Sequence, residues 1–405
     1  MPWRGVAVSE QRQRFLEDYR LQYYTVTELA QRFEISTKTA HKWINRFEEY
    51  GERGFHELSR RPHTSPNQTE PVIVDALVEV RKAHPSWGPR KLLDLVEKRH
   101  PEWEQPAVST VALILAREGL VRSRRRYRRA HPGCPKSKPE GPNDMWGADY
   151  KGQFRLKNGQ YCFPLTVSDL ASRYVLGVDA HPAISLERTV EHFRRLFEAY
   201  GLPNRIRTDN GSPFASSALG RLSQLSVWFI KLGIYPELIE PGEPQQNGVH
   251  ERMHRTLKQE ATIPPASSLR AQQRRFDSFR EEFNEERPHE SLGMKRPGQV
   301  YRPSSRSMPK RIEAYEYPSQ YLVRRVSRAG TIRVLSKQVF VSQTLEEEQV
   351  GLEEVDDGVY DLYFCFYQIG RYDLRVNRIQ DIVSRVAVSR RQVDLAARAL
   401  PMSLE

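Results

Sequence analysis

The hydrophobic period of this chain changes once, near Asn143, and that change limits the folds open to it. Upstream, apolar residues recur at helical spacing; downstream they alternate in short runs separated by turn residues. A chain of 405 residues with such a switch reads as several domains, helical first and strand-rich later.

Residues 9–50 predict three helices. Ser9 can cap the first, with Phe15, Leu16 and Tyr19 on one side, and Thr27 can cap the second, TELAQRF. After a break at Glu34-Ile35-Ser36, TKTAHKWINRFEEY carries Ala40, Trp43, Ile44 and Phe47 at helical spacing, and Gly51 can close it. This is a helix-turn-helix pattern. The outer face of the third helix offers Lys38, Thr39, His41, Lys42 and Arg46, suited to a major groove and its phosphates; a trihelical bundle with a wet face would look similar. Beyond the connector SRRPHTSPNQ, a second helical set runs through PVIVDALVEVRKAH, GPRKLLDLVEKRH and VSTVALILAREGLV. Ser109 or Thr110 can cap its last helix, with Val111, Leu113, Ile114 and Leu115 as core. Residues 1–58 and 69–121 are therefore expected as two helix-turn-helix domains.

Charge separates these halves. Lys and Arg exceed Asp and Glu by 12, and Arg122, Arg124, Arg125, Arg126, Arg128, Arg129, Lys136 and Lys138 supply eight of those cations with no intervening acid. Pro132, Gly133 and Pro135 make 122–142 a linker, either merely solvated or laid on phosphates. Between Leu345 and Asp361 eight acids occur without a base, a strip that a DNA path must avoid. The three cysteines are scattered and the first twenty residues lack an apolar run, so a reducing cytoplasm and no membrane partner are expected.

After Asn143, three strands are predicted in MWGADYKGQFRL, YCFPLTVSDL and SRYVLGVDAH, the first two joined through Asn158-Gly159. The helix SLERTVEHFRRLFEAYG, the strand NRIRTD, a helix around SALGRLSQLSVWFIKLG, the strand YPELIEP and a helix from near Gln246 follow. Three antiparallel strands followed by alternating helices and strands describe an α/β fold of the ribonuclease H kind over 143–300, with the Arg/Gln-rich helix after Pro265 as a trailing arm. Residues 317–385 read as a small SH3-like β-barrel and 386–405 as a tail.

Three acids sit where strand ends or a helix face could present them: Asp149, Asp209 and Glu251. Gathered at one sheet edge they would concentrate negative charge, a site for hard divalent cations. Taken singly they have ordinary readings: a buried acid, an Asp-Asn-Gly turn, and an exposed helix pair of Glu251 with Arg255. Glu251, Arg255 and Lys258 share one helix face. Glu243 lies in a Pro-Gly-Glu-Pro loop without a helix face, Asp169 is better placed to shape a strand turn, and His250 and His254 lack a third soft ligand for zinc.

The motifs WGADY, LTVSDLASRY, RTDNGSPF and PQQNGVHERMHRTLKQE resemble the DDE integrase core of bacterial insertion-sequence transposases of the IS3/IS481 group, a core shared with retroviral integrases. The resemblance implies that Asp149, Asp209 and Glu251 form a metal-binding catalytic triad with two Mg²⁺ ions, or Mn²⁺, and that Lys258 contacts DNA ends. It implies a DNA transposase of the bacterial cytoplasm and nucleoid, acting on double-stranded DNA as a homodimer or larger multimer. Glu251 follows Asp209 by 42 positions, longer than the family's usual separation of about 35, which implies an insertion before Tyr235. A domesticated, non-catalytic DNA-binding protein and a nuclease acting on hybrids are the alternatives.

Overall fold

The computed structural model describes residues 8–55, 68–121, 137–240 and 243–381. The basic run Arg122–Arg129 and the tail 386–405 lie outside them. The chain divides into two compact units, Met1–Glu70 and Pro71–Glu405.

In the first unit α1 (Val8–Arg20), α2 (Val26–Arg32) and α3 (Thr37–Tyr50) close on Phe15, Leu16, Leu29, Ala40, Trp43 and Ile44. The second helix begins earlier than expected, because Thr25 and not Thr27 caps it, in a reciprocal box with Glu28. Ser36 caps α3 and Gly51, at φ 59°, ends it. On the outer face Lys38, His41 and Lys42 are exposed. Thr39 is partly used by the cap, its hydroxyl 2.8 Å from that of Ser36, and the Arg46 guanidinium lies 4.7 Å from the centre of the Trp43 ring.

The second unit opens with α4 (Pro71–Ala83), α5 (Pro89–Arg99) and α6 (Val108–Arg117), packed on Leu77, Trp87, Leu92, Val96, Val111 and Leu115. Neither Ser109 nor Thr110 caps α6; Ala107 occupies that position, and Leu113, expected in the core, is exposed. This bundle is bonded to the α/β core. Ser86 donates to Glu260, His84 Nδ1 lies 2.8 Å from Glu282, and the Trp87 ring faces Arg287.

The core sheet contains β1 (Met145–Tyr150), β2 (Phe154–Arg155), β3 (Tyr161–Asp169), β4 (Val175–His181), β5 (Arg205–Thr208) and β6 (Tyr235–Leu238). β1, β3 and β4 pair antiparallel, while β5 and then β6 add parallel to β1. Strand alternation assigns the faces. Trp146, Ala148, Leu165 and Val167 pack against α7 (Leu186–Tyr200) and α8 (Gln224–Lys231), leaving Gly147, Asp149, Thr166 and Ser168 toward α9 (Gly248–Leu257). The helix expected as an arm, α10 (Leu269–Glu281), instead lies on this second face. Phe276 and Phe279 are buried there, and the Gln273 amide bonds both the Ala180 N–H and the Val178 carbonyl.

The C-terminal strands do not close into the expected barrel. β7 (Leu322–Arg325), β10 (Gln349–Asp356), β11 (Val359–Phe364), β12 (Tyr367–Asp373) and β13 (Arg378–Asp381) form an open sheet, and β8 (Thr331–Val334) pairs with β9 (Lys337–Phe340) in a separate hairpin. Short alternating strands specify an antiparallel meander, but closure depends on a pairing between its edges that periodicity does not encode. Leu222, Val227 and Ile230, from the long 209–234 connection, share the core of this sheet. Among the described residues no helix is long and apolar enough to cross a membrane.

Asn143, at φ 62°, ties the core to the segment behind it. Its Oδ1 accepts from Trp146 Nε1 at 3.0 Å and from the Tyr301 hydroxyl at 2.8 Å, and its Nδ2 donates to the Arg302 carbonyl at 2.7 Å. Asn143→Ala leaves two buried donors without an acceptor and is expected to cost about 3 kcal/mol in urea unfolding. A loss below about 1 kcal/mol would show that the clamp is not a stability determinant.

Candidate active site

β1 brings Asp149 opposite Thr166 of β3. The parallel pairing of Gly147 with Arg207, continued two residues, sets Asp209 beside Asp149, just past the end of β5. Glu251 is exposed in the first turn of α9. Burial, the Asp209 charge and, more weakly, Glu251 push the Asp149 carboxyl up to about 7, against the opposing pull of Lys151. Asp209 and, more weakly, Glu251 thus both act on Asp149 through space.

Neighbouring residues hold each acid in place. Asp209 Oδ1 accepts from the Gly211 N–H at 3.0 Å, and a Cβ at Gly211 would stand 3.1 Å from Asp209 Oδ2. Asn210 donates to the Ile239 carbonyl and accepts from Arg221. Arg207, almost fully buried, donates through Nε to Glu237 at 2.7 Å, through Nη1 to the Gln246 carbonyl at 3.0 Å and through Nη2 to the Ser137 carbonyl at 2.7 Å. It therefore joins β5 and β6 to the turn that starts α9.

Two buried histidines dock α9 on the sheet. The Thr166 hydroxyl has a single proton, donated to the Asp149 carbonyl at 3.0 Å, so His250 Nε2 and His254 Nε2, 2.8 and 2.6 Å from the same oxygen, must both be N–H donors. Ser168 then donates to His250 Nδ1 at 2.9 Å. Burial, with Lys151 adding, holds His250 down at about 3; burial, His250 and Lys151 hold His254 far below the usual imidazole range, so both rings are neutral. A side chain at Gly147 would meet Leu170 at 2.8 Å and His250 Nδ1 at 3.1 Å, which is why the WGADY motif has glycine there.

This tautomer leaves the lone pair of His254 Nδ1 facing Asp149 Oδ2 across 3.6 Å. Two acceptors face each other beside a second carboxylate, an arrangement that a cation or a proton relieves. The gap is bounded by carboxylate oxygens and one imidazole nitrogen, and the carboxylates suit Mg²⁺ or Mn²⁺. Among the described residues no three His, Cys, Asp or Glu stand close enough together to hold an ion without adjustment.

The rival groups have other tasks. Asp169 is buried and accepts from the Asn143 and Ser172 N–H groups and from the Ser172 hydroxyl, forming the β3–β4 turn. Glu243 is exposed, ahead of the turn Pro244–Asn247. His250 and His254 bond hydroxyl groups rather than forming a zinc pair. Arg255 of α9 and Lys258 just past its end are both exposed. Thr166 and Arg207 went unrecognised in the sequence; the Thr-x-Ser alternation opposite the Asp149 strand is the available signal for the first.

Sequence profiles of the integrase core domain match residues 139–244 and 232–297. A helix-turn-helix domain profile matches 11–63, and a homeodomain-like domain profile matches 39–115. The chain is 26% identical over 238 residues to a 31.7 kDa protein of insertion element IS407 of Burkholderia multivorans, covering 58% of this chain and 82% of that protein. It is 28% identical over 238 residues to a 39.2 kDa protein of insertion element IS476 of Xanthomonas euvesicatoria, covering 58% and 66%. Similar solved structures include the HTLV-2 integrase catalytic core domain in complex with magnesium, at 18% identity and TM-score 0.32 over 41% of this chain and all of that one. A simian T-cell lymphotropic virus intasome aligns at 14% identity and TM-score 0.36 over 72% of this chain and 97% of that one. The fold and site define a protein with helix-turn-helix elements and a ribonuclease H-like integrase core. Its resemblance to insertion-sequence transposases of the IS3/IS481 group stands on both the profiles and the insertion-element relatives.

Asp149 carries a sign-determined pH effect. Its folded pKa lies above the ordinary 3.8, so the unfolded chain ionises first and metal-free stability falls as pH rises from about 4 to about 7, then levels. Asp149→Asn removes that penalty and is expected to stabilise the metal-free protein at pH 8 by on the order of 2–4 kcal/mol, with a smaller gain at pH 5. Denaturant unfolding in EDTA at both pH values checks this; an equal gain at both pH values, or a loss at pH 8, contradicts the assignment.

Proposed function

We propose that the protein is a DNA transposase that frees 3′-hydroxyl ends of its element and joins them to target DNA. The observation that carries this reading is the placement of Asp209 beside Asp149 at the end of the paired strands, with Glu251 in the first turn of the helix docked on the same face. These acids would hold two Mg²⁺ ions, or Mn²⁺. Bound there, the metal would activate the attacking oxygen and stabilise the leaving oxygen of a phosphodiester displacement.

The remaining work belongs to the chain. Asp149 sits on a strand paired on both sides, Asp209 at a turn fixed by Gly211, and Glu251 on a helix docked by His250 and His254, so the chain holds each acid near its place before substrate arrives. Exposed Lys38 and Lys42 of α3, with Thr39 and Arg46, would read the terminal repeats, and the Arg122, Arg124, Arg125, Arg126, Arg128 and Arg129 run would hold adjacent phosphates. Arg255 and Lys258 would receive the strand beside Glu251. Joining two ends of one element calls for at least two copies of the chain, a homodimer or larger assembly on double-stranded DNA in the bacterial cytoplasm and nucleoid. The domain limits in this reading are 1–58, 69–121, 122–142, 143–300 and 317–385.

Divalent-metal-dependent nicking of DNA bearing the element's ends is the test. Wild type is expected to nick in Mg²⁺ and not in EDTA, and Asp149→Asn to lower the rate at least a thousandfold while still binding the ends, about 4 kcal/mol of transition-state stabilisation. Cleavage by the variant at the wild-type rate would refute the catalytic role of Asp149. A wild type that binds the ends and never cuts them would make the protein a DNA-binding regulator.

A further inference from the structure

Beside the acids, the Pro71–Glu405 unit has a second concave surface. A cavity of about 420 Å³ lies between α5, the β3–β4 turn, the flank of α9 and the segment following α10. Its charged lining is Lys91, Arg173, Arg252, Arg255 and Arg287 against a single acid, Glu290. Arg287 is paired with Glu260 at 2.6 Å, and Glu290 reaches out to Arg90 at 3.4 Å. The side chains of Lys91, Arg173, Arg252 and Arg255 have no hydrogen bond or ion pair among the described residues. Arg173 Nε and His289 Nε2 are buried without a partner.

Cations so grouped repel one another and lose hydration. Burial and the Arg287 charge bring the Lys91 ammonium down to about 8, and burial with Arg252 lowers Arg173. A protein ordinarily neutralises such a group with acids of its own; here Glu260 and Glu290 near Lys91 and Asp169 near Arg173 offset the cations only in part, which leaves room for an external anion. Guanidinium forks converging from three elements suit the oxygens of a phosphate, and the cavity falls in the range of roughly 300–1,000 Å³ usual for ligand sites. Arg252 and Arg255 follow Glu251 at the next position and the next turn of α9, so one helix contributes both to the acids and to the lining of the cavity.

We propose that this cavity seats a phosphate of the nucleic-acid strand that is cut at the acids, which makes α5 of the second helical bundle part of the substrate site. The identity of the strand rests on the transposase reading; the phosphate site rests on the cations alone. Duplex oligonucleotide binding is to be measured against salt in EDTA, with full-length Asp149→Asn as the parent, so that catalysis plays no part. Adding Lys91→Gln and Arg252→Gln is expected to weaken binding about tenfold near 0.1 M salt and to flatten the log–log salt slope by about 1, with Arg252→Lys retaining most of the affinity. Inorganic phosphate is expected to raise the thermal midpoint of the parent and not of the double variant. Phosphate protection that depends on these residues while oligonucleotide affinity and slope stay unchanged would overturn the strand assignment in favour of a free-phosphate site. Unchanged behaviour in both assays would overturn the site itself. Failure of wild type to nick DNA would sink the transposase reading and leave these binding results standing.

Discussion

A single hydroxyl, that of Thr166, sets the arrangement of this core. It donates to the backbone of the Asp149 strand and accepts from two imidazoles of the helix that carries Glu251. Without it, two buried N–H groups would lose their acceptor, each a desolvation cost of about 1–3 kcal/mol. The helix has no comparable polar tie of its own at its start, where Asn247 caps without a side-chain bond and Oδ1 is buried without a partner. Arg207 supplies the second fixed point by bonding the Gln246 carbonyl. Between them, a hydroxyl and a guanidinium decide where the first turn of α9, and with it Glu251, meets the sheet.

The charge balance follows from that docking. Neutral His254 turns a lone pair toward Asp149, and Asp209 stands just past the end of the neighbouring strand, so the acid edge gathers negative charge that Lys151 only partly offsets. On the adjacent flank of the same helix the imbalance is reversed, with Arg252, Arg173 and Lys91 only partly offset by the acids near them. Two partly compensated fields of opposite sign along one helix are costly to an isolated protein. They match a substrate whose backbone is anionic and whose chemistry uses divalent cations.

Much of this was legible in the sequence, for identifiable reasons. The α3 limits follow from Ser36 and Gly51, and the α7 limits from Ser185 and Gly201, because caps and left-handed glycines are local chemistry. The three acids were legible as candidates because strand ends and a helix face place them without reference to distant contacts; their shared metal role is what we propose. What escaped is in one case a local capping box and otherwise depends on tertiary choices. Thr27 and Thr25 are equally plausible caps until Glu28 selects one; Leu113 has core spacing but faces outward; α10 is polar enough to read as an arm, yet Phe276 and Phe279 bury it on β4. Thr166 and Arg207 are ordinary strand residues until the sheet register shows what they face.

Divalent-ion binding to the full chain, followed by Mn²⁺ electron paramagnetic resonance in the absence of DNA, tests the shared acid site most directly. If Asp149, Asp209 and Glu251 act on a common cation, Asp149→Asn, Asp209→Asn and Glu251→Gln each weaken Mn²⁺ binding about tenfold or more, and pairs of substitutions lose less than the sum of the singles. Equal Mn²⁺ affinity in wild type and in the Asp149→Asn, Asp209→Asn double variant would contradict it.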